Sequence, residues 1–145
     1  PSFATISAYG ANAAMAHYAT DVNNSPALKP EGLLLLDSGG HYIDSTTDIT
    51  RTIALGPLTE EEIMDFTLVL KGHIGLALAK FPEGTTGVQL DTLARMHLWQ
   101  HGLNYGHGTG HGVGAFLSVH EGPQRISKAW NATALAPGMI VLTAL

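Results

Sequence analysis

From Gly106 to Gly114 every second residue is glycine, and histidines stand in the places between at His107 and His111. No other stretch limits the fold as sharply. Each glycine costs about 1 kcal/mol in a helix interior relative to alanine, so the run is not helical. In an extended backbone residues four apart share a face, which puts His107 and His111 on one side. The glycines add no bulk and let a substrate or an ion come close to the main chain. The spacing is not that of the helical His-Glu-x-x-His zinc motif, because no glutamate lies between the histidines.

The segments before this run change period once. Ser2 to Ala8 alternates and reads as a strand, and Ala13 to Tyr18 as a second. Residues 21–32 hold two prolines, two asparagines and a glycine, which makes them a loop. Leu33-Leu-Leu-Leu36 is a continuous apolar run that suits a strand covered on both faces. Thr47 to Leu55 alternates and is rich in β-branched residues, so it is the expected hairpin partner of that strand. Thr59 followed by Glu60, Glu61 and Glu62 is a helix start, with a capping hydroxyl and acids facing the helix dipole. Ile63, Phe66, Val69, Leu70, Ile74, Leu76 and Leu78 continue it as an apolar stripe. A second helix is expected from about Val88 to His101, ended by Gly102. Ala115 to Val119 and Met139 to Leu142 are further strand candidates. The order argues for an α+β fold, with helices packed on one face of a mostly antiparallel sheet.

Two carboxylates stand out in this frame. Asp37 closes the leucine run, where an unpaired charge is costly. It reads equally well as a turn residue ahead of Ser38-Gly39-Gly40. Asp48 sits in strand-like sequence, which disfavours aspartate, and either pairs with a cation such as Arg51 or serves a ligand. If the two segments form a hairpin, the carboxylates meet near one end of it. Two carboxylates and an imidazole suit Mn²⁺, Co²⁺, Fe²⁺ or Zn²⁺. Among the other histidines, His17 reads locally as a satisfied, partly buried residue and His120 as surface polar. His41, His73, His97 and His101 read as structural or surface residues.

Composition excludes several classes. A length of 145 residues suits one domain with a real core. The formal charge of -5 and scattered Lys and Arg give no nucleic-acid footprint. With no cysteine there is neither a disulfide nor a thiolate ligand, and a cytoplasmic setting is expected. No run reaches the roughly 18 apolar residues of a membrane span, so no membrane partner is expected. The N-terminus lacks the pattern of a signal peptide.

Taken together, Leu36-Asp37-Ser-Gly39, Thr46-Thr-Asp48-Ile-Thr-Arg-Thr52, His107-Gly-Thr-Gly-His111-Gly-Val-Gly114 and Val119-His120-Glu121-Gly-Pro123 resemble the catalytic domain of aminopeptidase P (X-Pro aminopeptidase). That family belongs to the pita-bread metallopeptidases, with prolidase and methionine aminopeptidase. The resemblance runs over essentially the whole chain. It implies hydrolysis of the peptide bond before proline, in peptides with proline at the second position, by a hydroxide bridging two divalent ions. Manganese is the expected metal, with cobalt or zinc as alternatives. It implies that Asp37 binds one ion, Asp48 bridges both and His111 binds the other. His17, His107 and His120 would face the substrate as the catalytic histidines.

The resemblance also implies two glutamate ligands that this sequence lacks. The first is expected just after Gly138-Met-Ile-Val141, where Leu142-Thr143-Ala144-Leu145 stands instead, with Ala144 about at its place. Residues 122–145 contain no Asp or Glu. Two divalent ions carry four positive charges, and Asp37 and Asp48 offset only two of them. Residues 1–145 are therefore expected to be an incomplete pita-bread catalytic domain, without the early helix and the C-terminal strands. Such a chain is expected to be inactive or weakly active and to hold at most one ion weakly. Uncovered sheet edges are expected to favour a homodimer. The alternatives are a metal-free binding module of the same fold and a prolidase-type dipeptidase.

Overall fold

The computed structural model describes residues 1–144, so Leu145 of the final tetrapeptide lies outside the described residues. Among the described residues, six strands and two α-helices follow in the order β1 (Ile6–Tyr9), β2 (Leu33–Ser38), β3 (Ile49–Ala54), α1 (Glu60–Ala77), α2 (Gly87–Trp99), β4 (Gly110–Gly112), β5 (Arg125–Ile126) and β6 (Val141–Thr143). Every strand pairing is antiparallel. The strands form two three-stranded sheets, ordered β1-β2-β3 and β5-β4-β6.

The expected hairpin is present. β2 pairs with β3 in a register that sets Asp37 opposite Thr50 and Ser38 opposite Ile49. Residues opposite one another share a face and the side-chain period is two, so the extended strand would carry Asp48 to the side of Asp37 and Thr50. The leucine run is less covered than its composition implies. Only Leu34 is buried, and its neighbours are half-buried.

Helix α1 begins where its capping signal lies. The Thr59 hydroxyl accepts the Glu62 N–H at 3.2 Å, and the Glu62 carboxylate accepts the Thr59 N–H at 2.8 Å. In α2 the Gln89 side chain accepts the Thr86 N–H at 2.8 Å. That helix closes around Gly102, whose φ of +72° lets Leu103 N–H reach the Leu98 carbonyl and its own N–H reach Trp99. The two helices pack closely at Gly72, where a Cβ would overlap the Ala94 carbonyl. The core lies between the helices and the second sheet, built from Leu76, Leu90, Ala94 and Ile126. Of the apolar stripe on α1, only Leu76 is buried. Ile63, Phe66, Leu70, Ile74 and Leu78 are all more than two-fifths exposed. The helix is apolar over much of its circumference and only one side of it meets α2.

Two expected strands are absent. Residues 10–14, overlapping the Ala13–Tyr18 candidate, form a one-turn 3₁₀ helix that starts at the left-handed Gly10 and leads into turns. Residues 115–119 form a bent loop in which Leu117 and Ser118 have φ of +60° and +50°, incompatible with a strand. The sheet passes instead through the glycine run, as β4. The last strand begins at Val141, two residues after the expected Met139.

Candidate metal centre

The polar residues singled out in the sequence are carried to one place by different elements. Asp37 lies on β2, Asp48 just ahead of β3, His111 at the middle of β4 and His120 in the loop after it. His111 Nε2 lies 3.3 Å from Asp48 Oδ2, and the Asp48 side chain is only 6% exposed. The rings of His111 and His120 meet edge to face, with centroids 4.3 Å apart. Ligand atoms of Asp48, His111 and His120 all lie within 4.8 Å of one another. His120, which locally read as surface, is thus part of this cluster.

Asp37 joins through Asp48. Burial first, and then the charge of Asp37, push the Asp48 carboxyl above its ordinary value; His111 and His120 pull the other way without prevailing. Asp37 Oδ1 is buried and has no hydrogen-bond partner. A buried unpaired carboxylate oxygen beside a second carboxylate calls for a cation. Arg51, the alternative partner considered for Asp48, donates instead to the Thr50 carbonyl at 2.7 Å.

The imidazoles are set up to match. His111 Nδ1 lies 2.9 Å from the Gly112 carbonyl. A carbonyl only accepts, so Nδ1 donates to it, and Nε2 is the nitrogen that faces Asp48. His107 repeats the arrangement, with Nδ1 2.7 Å from the Gly108 carbonyl. His107 and His17 are exposed. His17, expected to be partly buried, is close enough to His120 for its charge to act there. Two carboxylates and imidazole lone pairs fit a divalent ion of the Mn, Co or Zn type.

Close backbone packing sets these side chains. A Cβ on Gly112 would overlap the Glu121 carbonyl, and one on Gly110 the Leu142 carbonyl. β4 thus sits tightly between its neighbours, and His111 projects from its centre.

The pKa of His120 is lowered, by burial first and then by the charge of His111. In the metal-free chain we expect its ring to titrate below 6.5, followed by the pH dependence of its Hε1 proton resonance. A base whose pKa falls on folding adds stability above its unfolded value. That stability is lost as pH drops through 6.5 toward the lower folded value.

Sequence reasoning missed a second polar cluster directly beneath the His107 loop. Asp91 and Arg95 are 2% and 0% exposed, and Thr109 is fully buried. Arg95 Nε donates to Asp91 Oδ2 at 2.7 Å. Its signal was in the helix period: Asp91 and Arg95 lie four apart, alongside the buried Leu90, Ala94 and Leu98.

A cluster of aspartates and histidines set between the segment ahead of β3 and the strand β4 suits a metallopeptidase, and the chain belongs to metallopeptidase family M24, whose model matches residues 1–143. Its fold is the mixed α+β pita-bread fold. The chain is 55% identical over 142 residues to a Fusarium vanettenii protein named probable Xaa-Pro aminopeptidase P, a match covering 97% of this chain and 23% of that protein. A protein of the same name from Verticillium alfalfae is 58% identical over 122 residues, which are 84% of this chain and 20% of that one. Among solved structures, the X-prolyl aminopeptidase of Caenorhabditis elegans, described as a cytosolic enzyme with a di-nuclear active site, superposes with a TM-score of 0.90 at 48% identity. That match covers 96% of this chain and 23% of the nematode chain. The prolidase of Pyrococcus horikoshii OT3 superposes with a TM-score of 0.82 at 32% identity, over 97% of this chain and 39% of its own. The chain spans less than a quarter of the length of the fungal relatives. Among the described residues, no helix is long and apolar enough to cross a membrane.

Proposed function

We propose that this chain carries the aspartate and histidine side of an X-Pro aminopeptidase of the aminopeptidase P type, acting on peptides with proline at the second position. One observation carries the reading. Asp48, His111 and His120 converge within 4.8 Å, with Asp37 acting on Asp48, in a chain whose relatives bear that name. Asp37, Asp48 and His111 are the residues that would hold divalent ions, with manganese our choice and cobalt or zinc the alternatives. Bound there, such ions polarise a carbonyl and make a water acidic enough to attack it. The relatives' length and the two glutamates implied by the resemblance make residues 1–145 one part of that catalytic domain. We place the protein in the cytoplasm, following the cytosolic description of the nematode relative.

The histidines divide the remaining work. His120, edge to face with His111 and beside Asp48, is suited to exchange a proton near the scissile bond. His107, with Nδ1 committed to the Gly108 carbonyl, donates through Nε2 only as the imidazolium. In that form it can stabilise negative charge developing on a carbonyl oxygen. His17 sits in the turn after the 3₁₀ helix that follows β1, exposed and near enough for its charge to act on His120, where it can meet the peptide.

The test uses a polypeptide that carries this chain at the relatives' length. With Mn²⁺ present it is expected to release the first residue of an X-Pro-Y tripeptide. Calorimetry on residues 1–145 alone is expected to find at most one weakly bound ion. Stoichiometric metal binding by the longer protein without cleavage of any X-Pro peptide would sink the reading. Cleavage of X-Pro dipeptides alone would favour the prolidase-type activity, and no metal binding would favour a binding module.

A further inference from the structure

The Asp91–Arg95 pair does more than join α2 to itself. The Arg95 side chain is fully buried and its guanidinium has five N–H donors. Two go to Asp91, from Nε at 2.7 Å and from Nη2 at 3.3 Å. The other three leave the helix for the loop that carries His107. Nη1 donates to the Asn104 side-chain oxygen at 3.0 Å and to the Tyr105 carbonyl at 2.6 Å, and Nη2 donates to the His107 carbonyl at 2.8 Å. The guanidinium also lies 3.8 Å from the centre of the Tyr105 ring, whose other neighbour is the His107 ring at 4.7 Å. On the far side of the loop the Thr109 hydroxyl donates to Asp91 Oδ1 and is itself bonded to the Tyr105 hydroxyl. One buried carboxylate–guanidinium unit therefore grips the loop at residues 104, 105, 107 and 109.

The loop needs such a grip. His107 lies between Gly106 and Gly108, and a Cβ at Gly106 would meet nothing within 4 Å. Glycine-flanked backbone has little conformational preference of its own, and fixing it costs about 1–2 kcal/mol per residue. A buried ion pair is not needed for stability, since apolar residues of similar volume often replace one without loss. What apolar residues cannot replace are three donors aimed at one loop. We propose that Arg95, locked by Asp91, is a positioning residue that holds the His107 imidazole in its working place. The proposal rests on the aminopeptidase reading, because that reading gives His107 its task.

The test uses the relatives-length protein carrying Asp91→Leu together with Arg95→Met. This pair removes both charges and keeps apolar bulk, so the core stays packed. If Arg95 positions His107, kcat for an X-Pro peptide falls about 10- to 100-fold with KM within about threefold, because a displaced catalytic group costs rate more than binding. Mn²⁺ affinity stays within threefold, and amide hydrogen exchange accelerates at residues 105–109 and not in β2 or β3. A folded double variant with parental kcat, or with unchanged exchange at 105–109, overturns the proposal. If the parent protein does not cleave X-Pro peptides, the function reading fails and the exchange measurement alone decides, selective loss of protection supporting the proposal and unchanged protection overturning it. Should the double variant not fold, Thr109→Val removes one link of the same grip and is judged by the same two readouts.

Discussion

Asp48→Asn is expected to act in opposite directions on activity and on stability. In the relatives-length protein the substitution removes a carboxylate that would help to hold the divalent ions of our reading, and kcat/KM should fall by about 1,000-fold or more. In the metal-free chain the same change should raise the midpoint of thermal unfolding at neutral pH. The reason is that burial and the neighbouring Asp37 both disfavour an ionised Asp48. A carboxyl whose pKa is raised on folding binds its proton more tightly in the folded state. Stability therefore falls as pH climbs from the ordinary 3.8 through the raised value, and the asparagine variant lacks that fall. Melting both proteins in chelator at several pH values checks the sign. A lower midpoint for the variant at neutral pH would show that the His111 contact outweighs the burial cost.

The second large effect is on stability. Asp91→Ala leaves the guanidinium of Arg95 buried without its counter-charge, and Thr109 without its acceptor. Breaking a buried pair from one side costs about 3–5 kcal/mol. That is a large share of the roughly 5–15 kcal/mol by which a domain is stable. Urea unfolding should show it as a shift of midpoint with little change of slope. The double replacement of Asp91 and Arg95 by apolar residues should recover most of the loss, since no charge is then left unpaired.

What the sequence made legible was local. The α1 start at the Thr59 cap, the Gly102 helix end and the Leu33–Ala54 hairpin all depend on residues close in sequence, and each stands as expected. Elements defined by distant partners were not legible. β4 is three residues of mostly glycine, held in place by Arg125–Ile126 on one side and Val141–Thr143 on the other. Its glycines carry no apolar face to mark a strand, and the sequence pattern points one loop later, to Ala115 to Val119. There the positive φ of Leu117 and Ser118 runs against both residues' preference, and the turn is held from outside. The Ser118 carbonyl accepts the Gly114 N–H, and the Leu117 carbonyl accepts the Thr46 hydroxyl. The site followed the same division. Asp37 and Asp48 were brought together by a hairpin that could be read directly. Their grouping with His111 and His120 has no local sequence mark, because it is made by a contact between the segment ahead of β3 and β4. Arg95 and Asp91 were hidden because a charged i, i+4 pair ordinarily marks a solvent-facing stripe.

The meeting of the two sheets also sets an order of events. Asp48 and His111 stand more than sixty positions apart, and no continuous sheet joins them. The hairpin and the helix pair are assembled from short-range contacts and close quickly, whereas a contact of such long range waits on the slow search for topology. The two carboxylates should therefore approach one another early in folding, with no imidazole to relieve them, and the histidines should arrive late. An ion held by the hairpin alone would be loosely bound and readily exchanged, and tight binding would report that β4 has docked. On this reading, tight metal binding then reports the last step of folding.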